Sequence, residues 1–352
     1  MKAIGIDIGG TAIKGAIIDT NGTFLVKEKI NTDITIGREG ILQALFTIID
    51  RLLAHAAALP SDATAQHEVT DTAQHEATDT AQHEASDTTQ HEASDTAQLA
   101  GIGIGSAGRI NPITGEVVYA TANLPGWQGT NIKTIIEEKY GLPCHVDNDA
   151  NVALLGELWL GPQHHFKNAI MLTLGTGVGG ANIINGQLVT GAHCQSGEWG
   201  HVVLVPNGHP CNCGKKGCIE QYLSGTALVR QANEAVNQAN ALVRQANEAV
   251  GPTSTQYTHG QQVFVDSAMH EVVDTYLDYL ALVIYNMTVA IDPDAIIIGG
   301  GVIDSKHIWW PQLITKLATY EVATPIIPAA LGNQAGVAGA SKLVFDAHTQ
   351  NA

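Results

Sequence analysis

The sequence predicts an α/β protein of two lobes carrying a structural zinc site, and three observations lead there. The chain has 352 residues, more than one hydrophobic core usually serves. Two stretches share one plan, an apolar strand, a glycine-rich turn, a second strand and an Asn-Gly turn; one runs from Lys2 and the other from Ala169, which suggests two related halves. Three of the five cysteines, Cys211, Cys213 and Cys218, lie close together among glycines, and His201 stands ten residues before the first of them.

Three thiolates and one imidazole satisfy tetrahedral Zn²⁺, and Gly214 and Gly217 permit the turns that bring such sulfurs onto one ion. A set of unpaired reduced thiols is the plainer alternative. Four protein ligands leave no position open for substrate, so the metal is read as structural. It would hold Glu198, His201 and Glu220 in one small region, a cluster suited to a polyhydroxylated ligand because carboxylates accept hydrogen bonds from hydroxyls in pairs.

Composition narrows the class. Lys and Arg number 17 against 34 Asp and Glu, a formal net charge of −17. Nucleic acid is therefore not expected as a partner, because phosphate neutralisation needs clustered cations. No basic leader precedes the first strand, and no apolar run reaches the roughly 18 residues that span a bilayer, so a soluble, cytoplasmic protein without a membrane partner is expected. Cys144 and Cys194, left over from the metal, fit a reducing compartment.

Taken in order, the first strands are joined through Asp7, Gly9, Gly10 and Thr11, a turn whose bare amides can cradle phosphate, with Asp7 placed to hold Mg²⁺ through water. From Gly40 to Leu59 the apolar residues recur at helical spacing. Residues 64–98 then repeat the octapeptide TAQHEATD about four times, without a basic residue. Such a segment buries too little apolar surface to offset its ordering entropy and reads as a disordered insertion. Order resumes in the strand Leu99 to Gly105, whose following loop makes Arg109, Thr121 and Asn123 candidate substrate contacts.

A helix from about Asn131 to Tyr140 leads to a strand and to Asp147-Asn148-Asp149-Ala150-Asn151, a cap-rich helix start in which one Asp either merely caps or leaves another free as a base. The second glycine turn, Gly175 to Gly180 with Thr176, faces the first as a phosphate holder. ALVRQANEAV occurs at 227–236 and again at 241–250. That offset of nearly four helical turns predicts a lengthened surface helix without a catalytic role. A helix from Val272 to Val289 precedes the buried strand AIIIGGG, where Gly299 to Gly301 allow a nucleotide close to the backbone.

With these residues assembled, the chain resembles the ROK family of bacterial sugar kinases and related repressors, which implies a two-lobed actin-like ATPase (ribonuclease H-like) fold. DIGGT at Asp7 to Thr11 resembles the family's first phosphate loop, LGTGVGG at Leu174 to Gly180 its second, and IIIGGGV at Ile296 to Val302 its adenosine segment. The resemblance implies a cofactor site of Asp7, Gly9, Gly10, Thr11, Gly175, Thr176, Gly177, Gly299 and Gly300. It implies Asp149 as catalytic base, zinc at His201, Cys211, Cys213 and Cys218, and sugar contacts from Gly108, Arg109, Asn148, Asp149, Glu198, His201 and Glu220. Asp147 departs from the family's Glu, and Ala12 from a common Lys whose part Lys14 would take.

The implied activity is transfer of a phosphoryl group from ATP, with Mg²⁺, to a hexose hydroxyl, glucose first and N-acetylmannosamine, fructose or a β-glucoside as alternatives. A sugar-responsive transcriptional repressor is the alternative of another class. We expect an N-terminal lobe over 1–122, interrupted at about 62–98, a C-terminal lobe over 123–334, and a helix over 335–352 returning to the first. A homodimer or homotetramer is expected. Because the zinc would position Glu198, His201 and Glu220, its loss is expected to weaken sugar binding more than nucleotide binding.

Overall fold

The computed structural model describes residues 1–59, 99–121, 123–162, 164–245 and 255–350. The octapeptide repeat and residues 246–250 of the second ALVRQANEAV copy lie outside them.

The β-branched N-terminal runs form β1 (Lys2–Ile8), β2 (Ala12–Asp19) and β3 (Phe24–Asn31), followed by α1 (Arg38–Ala58). Then come β4 (Leu99–Ser106), a small hairpin of β5 (Arg109–Asn111) and β6 (Glu116–Tyr119), α2 (Ile132–Tyr140), β7 (Cys144–Asn148) and α3 (Asp149–Leu160). Five strands make one sheet in the order β3-β2-β1-β4-β7; the first three are antiparallel neighbours, and β4 runs parallel to both β1 and β7.

The expected boundary at 122 therefore falls too early. Residues 144–148 pair with β4, and Ile132 and Ile136 of α2 enter the same core as α1. An apolar strand shows its burial in its composition but not which sheet it joins.

Alternate residues of β1 feed different layers. Ile4, Ile6 and Ile8 pack against Ile41, Leu45 and Ile48 of α1, while Ala3 packs with Val344 and Phe345 on the opposite face. Covering both faces explains why the strand reads as a continuous apolar run. Among the described residues α1 is the one helix long and apolar enough to cross a membrane, and it covers the stretch whose apolar residues recur at helical spacing in the sequence. Its Ile41, Leu45, Ile48, Ile49 and Leu52 are fully buried against the sheet, which makes it a core helix.

The second half repeats the plan with β8 (Ala169–Leu174), β9 (Val178–Ile184) and β10 (Gln187–Leu188). The cysteine-rich segment follows, then α4 (Glu220–Leu223), α5 (Gly225–Gln245), α6 (Gly260–Val265), α7 (His270–Ile291), β11 (Ala295–Gly299), α8 (Lys306–Thr319), β12 (Ile326–Pro328) and α9 (Ala335–Gln350). Its sheet order, β10-β9-β8-β11-β12, matches the first sheet strand for strand. Leu228 at the start of α5 is fully buried, whereas Leu242, fourteen residues on, is 66% exposed. The duplicated turns thus carry the helix beyond the body it packs on.

Helices α3 and α9 join the halves. α9 packs on β1 and β4, α3 on β8 and β9, and the two cross backbone to backbone. A Cβ on Gly339 would lie 1.7 Å from the Val152 carbonyl oxygen, and one on Gly156 2.1 Å from that of Ala335. Only glycine fits at such a crossing. The two glycine turns and the start of α3 consequently meet at the carboxyl ends of the central strands, where open α/β sheets bind ligands.

Candidate functional site

The start of α3 sorts the three acidic and amide residues that the sequence left open. Asn148 is the cap: its Oδ1 accepts from the N–H groups of Ala150 and Asn151, and its Nδ2 donates to the Gly108 carbonyl at 2.8 Å. Asp147 is 3% exposed and sealed, with one oxygen accepting from Asn148 N–H and from Asn151 Nδ2, both at 2.7 Å. Among the described residues Asp149 meets no side-chain donor, its Oδ1 accepting the Ala150 N–H at 2.9 Å. Burial foremost, and then the charge of Asp7, push Asp149 up to about 6, high enough to take a proton near neutrality and low enough to be ionised there.

A cleft of about 260 Å³ opens beside it, lined by Asp7 and Lys14, by Asp149 and Glu157 of α3, and by Gly299 and Gly300. Gly300 has φ +82°, and a Cβ there would sit 2.4 Å from the Leu174 carbonyl, so the glycine run that ends β11 lets the chain pass close to the second turn. Lys14 donates to Asn333 Oδ1 at 2.9 Å and stands 3.7 Å from Asp7. Burial raises Asp7, and Lys14 offsets this only in part. Two half-buried carboxylates with one nearby ammonium fit a divalent cation, which Asp7 would hold through water.

In the first glycine turn Gly9 N–H donates to the Ala12 carbonyl at 3.1 Å, while Gly10 has open space at its Cβ position and Thr11 is exposed. In the second, Gly175 N–H binds the Gly177 carbonyl and Thr176 is exposed.

A smaller cavity on the other side of Asn148 is lined by Arg109, Asn151, Cys194, Ser196 and Glu198 among others. The Arg109 guanidinium stacks 4.6 Å over the Tyr119 ring and donates to Gln195. Gly108 reaches its place through φ +103°, with its carbonyl held by Asn148. Thr121 and Asn123 do not line this cavity. They belong to the turn in which Leu124 N–H returns to the Thr121 carbonyl, a use of polar loop residues that resembles a binding site in sequence.

Beneath lies the cysteine cluster. Ligand atoms of His201, Cys211, Cys213 and Cys218 all fall within 4.8 Å of one another. Cys213 and Cys218 sulfurs are 3.6 Å apart, and Cys211 Sγ is 3.7 Å from His201 Nδ1. A tetrahedron with Zn–S arms of about 2.3 Å has edges near these values. The donors thus fit the ion. Gly217 at φ +79° passes the chain against Val205, where a Cβ would lie 1.7 Å from the carbonyl oxygen.

His201 divides its two nitrogens: Nδ1 faces the sulfurs, and Nε2 lies 3.8 Å from Glu198. Burial raises the Glu198 carboxyl, while His201 and then Arg109 pull it back. Glu220, expected as a sugar contact, is tied to the second glycine turn. Its Oε2 accepts the Val178 N–H at 3.1 Å, directly behind the second glycine turn, and a Cβ on Gly177 would stand 2.4 Å from it.

Sequence reasoning missed Glu157, Thr173 and Asn333 at the cleft and Thr190, Cys194 and Ser196 at the smaller cavity. Glu157, a carboxylate in an otherwise apolar helix stretch, carried a readable signal; the loop residues carried none. A wide hollow of about 480 Å³ beside Tyr257 and Asp266 holds none of the expected site residues.

The ROK family model matches residues 3–61 and 61–347. The glucokinase of Halalkalibacterium halodurans is 32% identical over 350 residues, covering 97% of this chain and 94% of its own. The N-acetyl-D-glucosamine kinase of Yersinia enterocolitica is 30% identical over 257 residues, covering 69% of this chain and 79% of its own. Among solved structures, a ROK family glucokinase from Streptomyces griseus in complex with glucose and AMPPNP superposes with a TM-score of 0.71 at 28% identity, covering 98% of this chain and all of that one.

Proposed function

Since the chain belongs to the ROK family and is an ATP-dependent sugar kinase, we propose that it phosphorylates glucose, at its 6-hydroxyl. One observation carries the reading. Adjacent residues Asn148 and Asp149 stand between the two cavities, one lined with Arg109 and Glu198 and the other with Asp7, Lys14 and Gly299 to Gly301. A hydroxyl held on the first side meets Asp149 before a phosphoryl group on the second.

In this reading Arg109, Glu198 and His201 Nε2 orient the sugar, while the Asn148 amide supports the site by tying Gly108 to α3. Asp149 takes the hydroxyl proton. The amides of the Asp7–Thr11 and Gly175–Gly180 turns hold the phosphates in line, so catalysis is mostly positioning. Mg²⁺ held at Asp7 would neutralise charge on the phosphates, and zinc held by His201, Cys211, Cys213 and Cys218 would fix the cluster's shape. Unpaired cysteines and the use of ATP support a cytoplasmic location. Assembly as a homodimer or homotetramer remains part of the proposal.

ADP release measured over a panel of hexoses tests the substrate. Glucose should give the highest kcat/KM. A higher value for fructose, N-acetylmannosamine or N-acetylglucosamine would replace the sugar, and release with none of them would sink the assignment to hexoses.

A further inference from the structure

Glu157 is fully buried two turns below Asp149 on the same helix, with no cation paired to it among the described residues. Both of its oxygens are committed to backbone donors distant in sequence: Oε2 accepts Ala330 N–H at 2.9 Å and Oε1 accepts Leu331 N–H at 2.8 Å. That carboxylate therefore ties down two successive amides that follow β12, those of exposed Ala330 and half-buried Leu331. The segment it holds is functional ground. Ala329, Gly332 and Asn333 all line the nucleotide cleft, and Asn333 accepts from Lys14 on the opposite wall.

We infer that Glu157 is a positioning residue for nucleotide, setting the 329–333 wall of the cleft in register with Asp149. This rests on the kinase reading above. The helix gives the geometry: Asp149 and Glu157 project from one rigid rod, and Gly156 lets α9, which continues from the held segment, approach that rod backbone to backbone. A carboxylate suits the task because it accepts at both oxygens and donates at neither. Glutamine of the same size keeps one acceptor and turns an N–H₂ toward an N–H, leaving one amide unmatched. Glu157 touches neither the smaller cavity's lining nor the cysteine cluster. Its loss should be felt through the nucleotide.

The test compares full-length wild type with Glu157→Gln. In the variant we expect the Kd of AMPPNP and the KM for ATP to rise about tenfold, with kcat lowered less and the glucose Kd within about twofold of wild type. A purely structural carboxylate would reduce the folded fraction and both affinities together, and that pattern, or unchanged nucleotide affinity in a folded variant, overturns the inference. Should the variant not fold, hydrogen exchange on wild type decides. AMPPNP should slow exchange across 329–333, and unchanged exchange there on saturation overturns it. A wild type that binds no AMPPNP would instead refute the kinase reading itself.

Discussion

Val178 donates its backbone N–H to the Glu220 carboxylate at 3.1 Å, while the other oxygen of that carboxylate stands 3.9 Å from the Cys211 sulfur. The cysteine cluster thus reaches the back of the second glycine turn through one side chain. A second link reinforces it, Gly225 N–H donating to the Gly175 carbonyl at 2.7 Å.

Disrupting the cluster should therefore weaken both ligands. Cys213→Ser, or metal removal by a chelator, is expected to lower AMPPNP affinity by about tenfold alongside glucose affinity, as loss of a preorganised turn would. Calorimetric titration of each ligand reads this directly. Weakened sugar binding with intact nucleotide binding would contradict this coupling and leave Glu220 the sugar role alone.

Turnover should depend on pH through Asp149. In the proposed mechanism its carboxylate form is the active base, and burial followed by Asp7 places it at about 6. Activity should fall about tenfold per unit below that pH and be level above it. Because Asp7 is the second cause of the shift, Asp7→Asn should move the inflection of the remaining activity downward. A profile flat to pH 5 in wild type would contradict this.

Stability should show the same group with the opposite benefit. Asp149 binds its proton more tightly folded, at about 6, than at its ordinary 3.8. The fold accordingly loses stability as pH rises between those values, and the ionised buried carboxylate costs about 3 kcal/mol at pH 7. Asp149→Asn should unfold at higher denaturant than wild type at neutral pH, with the difference gone below about pH 4. Equal midpoints at pH 7 would count against the shift.

Asp147 should behave as its neighbour's reverse. Asp147→Ala leaves Asn148 N–H and Asn151 Nδ2 without an acceptor in a buried place, so a loss of about 2–4 kcal/mol in stability is expected. Urea unfolding measures it. A loss within 0.5 kcal/mol, as for an exposed residue, would show the side chain to be solvated.

How far the chain was readable follows from where its information lies. Glycine turns and the cysteine spacing are local chemistry, so Asp7, Gly175 and the four metal donors could be named from short stretches. Which of Asp147 and Asp149 is free is a matter of burial and of Asn151 reaching back, which an alternating string does not contain. The edge of the first sheet was misjudged because residues 144–148 join it by pairing with β4. Thr121 and Asn123 stand outside the smaller cavity's lining, and turn residues and binding residues are the same types in sequence. Glu157 was passed over because its partners, Ala330 and Leu331, lie more than 170 residues away.

The base in the proposed mechanism is Asp149. Asn is nearly isosteric and still accepts the Ala150 N–H, so Asp149→Asn should keep the fold and glucose affinity while kcat falls by about 10³–10⁴. The decisive measurement sets turnover beside glucose Kd for Asp149→Asn and Asp147→Asn. Collapse of turnover with retained sugar binding is expected in the first, and substantial turnover in the folded fraction of the second. Near-normal turnover in Asp149→Asn, with collapse in folded Asp147→Asn, would contradict that mechanism.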